Sequence, residues 1–227
     1  MMPRARFLLI TTLIVSAALN VARSQDNDPD HDDDAIALLQ SAMRSRIVIG
    51  YNQSGRGVLA YHCRHAKEGC ERRLSQFAHY LVDASQAHGI DPWLMAAMAL
   101  KESGLNPFAK GPAGELGILQ IHPKRRDALH VRFIRDEWYR LRCRREPGAC
   151  QREIVDHAAR VLARSVEMCG GDIKGALGLY NTGRCGGSRA YAKRILLERG
   201  EMLRAVGLDA DAQAAAPQLA SAQPDRS

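Results

Sequence analysis

The chain has 227 residues, 46% of them apolar, 25% charged and 5% aromatic, with a formal net charge of +7. That length suits one domain of ordinary size with tails, and it is enough to bury a core. A basic balance asks for an anionic partner, but the basic residues lack the interleaved aromatics of a single-strand binder, so no nucleic acid is expected.

Arg4 and Arg6, the apolar run Phe7 to Leu19 and then Ala22-Arg23-Ser24 have the order of a secretory signal. Residues 1–24 are therefore expected to be a signal peptide, and the remainder to be exported to the periplasm or outside the cell. The apolar run has 13 residues, too short to span a bilayer, and no cysteine follows it closely to carry a lipid. No stable membrane insertion is expected. Residues 25–34 carry six aspartates and no lysine or arginine, a block expected to be solvated and disordered. A calcium loop would need a glycine turn and a closing glutamate that this block lacks. At the other end, residues 208–227 have no periodicity and read as a flexible tail. Without the leader's three arginines, the six aspartates and the tail's net −2, residues 35–207 carry +12.

Within that domain, Ala35 to Arg44 predicts a short amphipathic helix with Ile36, Leu38 and Leu39 inward. Ile47 to Tyr51 and Gly57 to Tyr61 predict a small β-hairpin. Arg72 to Ala87 has Leu74, Phe77, Leu81 and Ala84 at helical spacing and is stopped by Gly89. The next helix opens on Asp91 as cap and Pro92 in the first turn, and it closes at Gly104. Further helices are expected at Asp127 to Arg144, Arg152 to Met168, Asp172 to Tyr180 and Ser188 to Ala205. The fold class is therefore α+β, predominantly α-helical, with a small accessory hairpin.

Six cysteines in an exported chain predict three disulfides. Fifteen connectivities exist; the sequence-local one, Cys63–Cys70, Cys143–Cys150 and Cys169–Cys185, is preferred. No close Cys-x-x-Cys pair suggests zinc, and neither a metal nor a cofactor is expected. The last bridge would fasten the segment carrying Tyr180 to the end of the preceding helix.

Glu102 falls in the last turn of the Asp91 helix, near the negative end of the helix dipole. Burial among Met, Leu and Phe would push its pKa the same way, so the carboxyl would keep its proton near neutrality as a general acid must. A lone glutamate in such a turn is ordinarily a surface acid; its neighbours argue otherwise. Glu102-Ser103, Asn106-Pro107, then Gly114-Glu115-Leu116-Gly117-Ile118-Leu119-Gln120-Ile121 before Pro123 resembles the signature of the soluble lytic transglycosylase catalytic domain. Leu179-Tyr180-Asn181-Thr182-Gly183 resembles that family's later Ala-Tyr-Asn-Ala-Gly box, and the likeness covers roughly Phe77 to Leu197.

This resemblance implies a lysozyme-like fold and peptidoglycan glycan strands as substrate. It also implies that Glu102 protonates the bond between N-acetylmuramic acid and N-acetylglucosamine. The same carboxylate then takes the proton of the muramoyl 6-hydroxyl as a 1,6-anhydro ring closes. By the same resemblance Gln120 is the binding-cleft glutamine, Tyr180 carries the hydroxyl that faces the acid, Asn181 fixes the turn of its box, and Ser103 braces the backbone. Two positions depart from the pattern. Gly111 stands where the family often has a serine that polarises the acetamido group, and Glu115 stands where a small residue is usual. A second carboxylate admits a hydrolytic alternative, a goose-type lysozyme-like muramidase or chitinase with Glu115 activating water. The plainer reading has Glu115 pin the loop through backbone N–H groups. The missing serine admits a third reading, a wall-binding or assembly protein with little turnover. Any partner in an envelope apparatus is unknown.

Overall fold

The structure, a computed structural model, describes residues 29–209. The expected signal peptide, residues 25–28 of the acidic block and residues 210–227 of the expected tail lie outside them. The first helix, α1, runs from Pro29 to Arg46, so the block expected to be disordered as far as Asp34 is helical from Pro29 on. Proline suits a first helical turn, and the packed residues further along the helix hold it in place. The buried Leu39, Ala42 and Met43 anchor the helix to the core. The tail likewise starts later than expected, because Leu208 packs on the core and its N–H donates to the Leu203 carbonyl at 3.0 Å.

Strands β1 (Val48–Tyr51) and β2 (Gly57–Leu59) form the expected antiparallel hairpin. A short helix, α2 (Tyr61–Arg64), leads to α3 (Cys70–His88) and α4 (Pro92–Ser103). The start of α4 is as the sequence prescribes, with the Asp91 carboxylate accepting from the Trp93 N–H at 2.9 Å. Its end is the left-handed Gly104 at φ 62°, a conformation glycine adopts without steric penalty. Every residue from Trp93 to Ala99 is buried, which makes α4 the central helix rather than a surface one.

The single helix expected from Asp127 to Arg144 is a correction. That stretch holds a 3-10 turn at Arg126–Ala128 and two short helices, α5 (Arg132–Arg135) and α6 (Glu137–Arg142). Asp136 makes the break: its backbone is extended, and its carboxylate accepts from the Tyr139 N–H at 2.9 Å, so it starts a new helix instead of continuing the old one. The last three helices, α7 (Arg152–Met168), α8 (Ile173–Thr182) and α9 (Arg189–Ala205), lie within two residues of their expected bounds. Asp172 and Ser188 cap the last two.

Around α4 the other helices close a predominantly helical α+β domain. Helix α9 packs along α4, α7 lies between α3 and α8, and α1 spans α3 and α9. Ion pairs tie α9 to its neighbours: Arg199 meets Asp91, and the buried Glu198 meets both Lys101 at 2.5 Å and Arg46 at 2.6 Å. All three disulfides take the sequence-local pairing, Cys63–Cys70, Cys143–Cys150 and Cys169–Cys185. The third fastens the loop after α8 to the end of α7, as expected. Beneath that loop lies Gly178, where a Cβ would stand 2.7 Å from the Gly187 backbone nitrogen and 2.9 Å from Gly186 Cα. Backbone held by a disulfide cannot swing aside as a side chain can. Gly178→Ala is therefore expected to destabilise the domain by about 1–3 kcal/mol, read as a drop of several degrees in thermal unfolding. An unchanged melting temperature would mean that the loop is free to yield.

Candidate active site

The ends of α4 and α8, one face of α7 and one loop meet at a cavity of about 390 Å³ lined by Glu102, Glu115, Gln120, Arg125, His157 and Tyr180 among others. Glu102 comes from the last turn of α4, part-buried as its position predicts. Burial is the largest influence on its carboxyl and raises the pKa above the ordinary glutamate range; the negative charge of Glu115 pushes the same way, against a hydrogen bond from Tyr191 that lowers it. The net direction is upward, which favours a protonated acid.

Ser103 joins the helix end to the loop. Its hydroxyl donates to the Ile118 carbonyl at 2.9 Å and to Ala99 at 3.1 Å, the bracing expected of it. Between residues 109 and 121 the loop folds on itself, with reciprocal Leu116–Ile121 backbone bonds of 3.0 Å and Gly111 N–H on the Glu115 carbonyl at 2.9 Å. At its tip Gln120 takes φ 49°, a left-handed conformation that a residue with a side chain holds at a penalty of roughly 1–3 kcal/mol. Its amide nitrogen donates to Gly117 O at 2.8 Å and Ala109 O at 3.2 Å. Two donors spent on the loop leave the amide oxygen as its open group. Gly117, at φ 78°, cannot carry a side chain, since a Cβ would come within 2.8 Å of the buried Gln151 Oε1 that accepts from Ile118 N–H at 3.0 Å.

The two departures from the expected motif prove to be one feature. A Cβ at Gly111 would overlap the Glu115 carboxylate and stand 2.7 Å from Gln120 Oε1. Glu115 thus fills the space that a side chain at 111 would occupy, and the Ala113 N–H donates to its Oε2 at 3.0 Å. That bond is the loop-pinning contact of the plainer expectation.

Tyr180, in the last turn of α8, lines the cavity, but its hydroxyl donates to the Leu119 carbonyl at 3.0 Å. The phenol on the acid is another one: Tyr191, in the first turn of α9, donates its hydroxyl to Glu102 Oε1 at 2.5 Å. Burial is the largest influence that keeps both phenols protonated, with the Glu102 charge acting the same way. The contact expected of Tyr180 is thus made by Tyr191. Sequence reasoning missed it because Tyr191, Ala192 and Ile195 follow the Ser188 cap at the spacing of an ordinary buried stripe; the available signal was a phenol, not an aliphatic, on that stripe. Asn181 is exposed at the cavity edge and does not fix its turn. The turn is held by the Thr182 hydroxyl on Gly178 O at 2.9 Å and by Gly183 at φ 75°.

The lining also holds a paired arginine and a histidine kept neutral near pH 7. Arg125 is held by Asp127 through bonds of 3.0 and 2.8 Å, and His157 is buried, its pKa pushed down to about 4 chiefly by that burial. Among the described residues no group of three or more His, Cys, Asp or Glu is placed to hold a metal ion. Chemically the site offers one part-buried, proton-retaining carboxyl, a phenol fixed on it, an amide oxygen, and a second carboxylate pinned to the loop.

A family model described as the transglycosylase SLT domain matches residues 79–194, a little over half of the chain. The matched span contains Glu102, Glu115, Gln120, Tyr180 and Tyr191. No solved structure matches the chain.

Proposed function

The chain belongs to the transglycosylase SLT domain family, whose lysozyme-like α+β fold it has, and on that premise we propose that it is a peptidoglycan lytic transglycosylase. Its substrate is the β-1,4 bond between N-acetylmuramic acid and N-acetylglucosamine, and its product ends in a 1,6-anhydromuramoyl group. The observation that carries this reading is the single acid at the end of α4, held by Tyr191 in a cavity whose other carboxylate is engaged by its own loop.

In the first step Glu102 gives its proton to the bridging oxygen, and the C1–O bond breaks with oxocarbenium-like charge at C1. The muramoyl 6-hydroxyl then attacks C1 and returns its proton to Glu102. Water is not a reactant, so one carboxyl serves as acid and then as base, which a raised pKa permits. Tyr191 holds Oε1, leaving Oε2 free to face the sugar. The Gln120 amide oxygen, the exposed Asn181 and the Tyr180 face supply polar and stacking contacts along the cleft, and Ser103 acts through the loop. Because Ala113 engages Glu115, that carboxylate is poorly placed to activate water, and this favours the lytic route over hydrolysis. Export to the periplasm or beyond the cell is part of the proposal, and three disulfides support it.

Mass spectrometry of the soluble fragments released from purified cell wall tests the reading. Anhydro-muropeptides are the expected product. Fragments heavier by one water would replace it with a muramidase, and binding without release would leave a wall-binding protein.

A further inference from the structure

Helix α6 has two faces of opposite character. Tyr139 packs against the core and Cys143, one turn on, is buried and bridged to Cys150. Trp138 and Leu141, at the spacing that shares the other face, are 76% and 40% exposed. Trp138 has no ring partner among the described residues; the neighbouring cation–π contact is Arg132 over Tyr139, 4.5 Å from the ring centre. Arg142 follows Trp138 by one turn, and Arg135, Arg144 and Arg145 flank the helix in the chain; all four are exposed and none is within ion-pairing distance of a carboxylate among the described residues. The nearby acids are three: Glu137, exposed in α6 beside Trp138 and in no ion pair among the described residues, Glu146, 3.8 Å from Arg72, and Asp136, which caps α6 and lies 3.7 Å from Arg132, so the arginines still outnumber the carboxylates here. No residue between 129 and 149 lines the catalytic cavity, so this tip is no extension of the cleft.

We infer that the α6 tip, with Trp138 and Leu141 set among four unpaired arginines, is a docking surface for an anionic phospholipid membrane face. The two kinds of group answer two features of one partner. An indole is at home at headgroup depth and a leucine just below it, while guanidinium groups bind lipid phosphates and gain from the negative surface potential. An anionic wall polymer would satisfy the arginines but leave Leu141 without a counterpart. The disulfide and the Asp136 cap hold the tip in shape, so docking requires no folding step. No helix among the described residues is long and apolar enough to cross a membrane, so the contact is peripheral, and it stands independently of the reaction proposed for the cleft.

Tryptophan fluorescence reads the contact directly, because the chain has two tryptophans and the other, Trp93, is already buried. Titration of the exported chain, from Gln25 on, with phosphatidylglycerol vesicles should shift the emission to the blue, and sedimentation should carry the protein down with them. Phosphatidylcholine vesicles should do neither, and raising salt should reverse the binding. Trp138→Ala and the pair Arg144→Glu, Arg145→Glu lie on the surface and should each weaken sedimentation about tenfold or more while leaving the melting temperature unchanged. Absence of binding to phosphatidylglycerol, equal binding to both lipids, or Trp138-dependent binding to purified cell wall without binding to vesicles would each overturn the inference.

Discussion

Glu102→Gln is expected to lower the release of wall fragments by about a thousandfold or more, since one side chain supplies both the acid and the base. The amide matches the carboxyl in size and can still accept from Tyr191, so the cavity should keep its shape and its affinity for glycan strands. Stability should move the other way. Glu102 holds its proton to higher pH in the folded chain than in the unfolded one, so between its unfolded and folded pKa values the native state binds more protons. Stability therefore falls as pH rises through that window, and the loss persists above it. Glutamine removes the titration. The variant should melt above the wild type near pH 7, and the gap should close at about pH 3, where both forms are uncharged at this position. Retained turnover would remove Glu102 from its role, and a melting gap of the opposite sign would mean that the acid is not held against its charge.

What the sequence made legible was local. The cap, proline and glycine of α4 act within one turn of the residues they control, so the helix and the place of Glu102 on it could be read directly. The disulfide loops are short, and proximity alone chose their pairing. The rest depended on contacts between distant segments. Asp136 reads as an ordinary residue of a long helix until its carboxylate is seen to take the Tyr139 N–H. Gly111 and Glu115 look like two separate departures from a motif, whereas in space one occupies the room that the other vacates. Tyr191 is 89 residues from the acid it serves, and a periodicity argument sorts it with the core. Composition marks the aspartate block as solvated, but it cannot show that the chain from Pro29 runs into a helix anchored by the buried Leu39 and Met43.

The sharpest separation of the two phenols is a pair of pH profiles. In the proposed reaction Glu102 must begin protonated, so activity declines on the alkaline side as the carboxyl loses its proton. The Tyr191 hydrogen bond favours the charged form and lowers that pKa. Tyr191→Phe removes the bond, so the carboxyl should hold its proton to higher pH and the alkaline limb should move up. Turnover at the optimum should drop roughly tenfold to a hundredfold, in keeping with the loss of a hydrogen bond to a charged group of about 1.5–3 kcal/mol. Tyr180→Phe loses a bond to the Leu119 carbonyl instead. It should loosen the loop behind Gln120 and raise KM, with the alkaline limb left in place. If the limb moves for Tyr180→Phe and stays for Tyr191→Phe, the phenol that governs the proton is the one in the Leu179 to Gly183 box, and the helix-end arrangement of α9 has no part in tuning the acid.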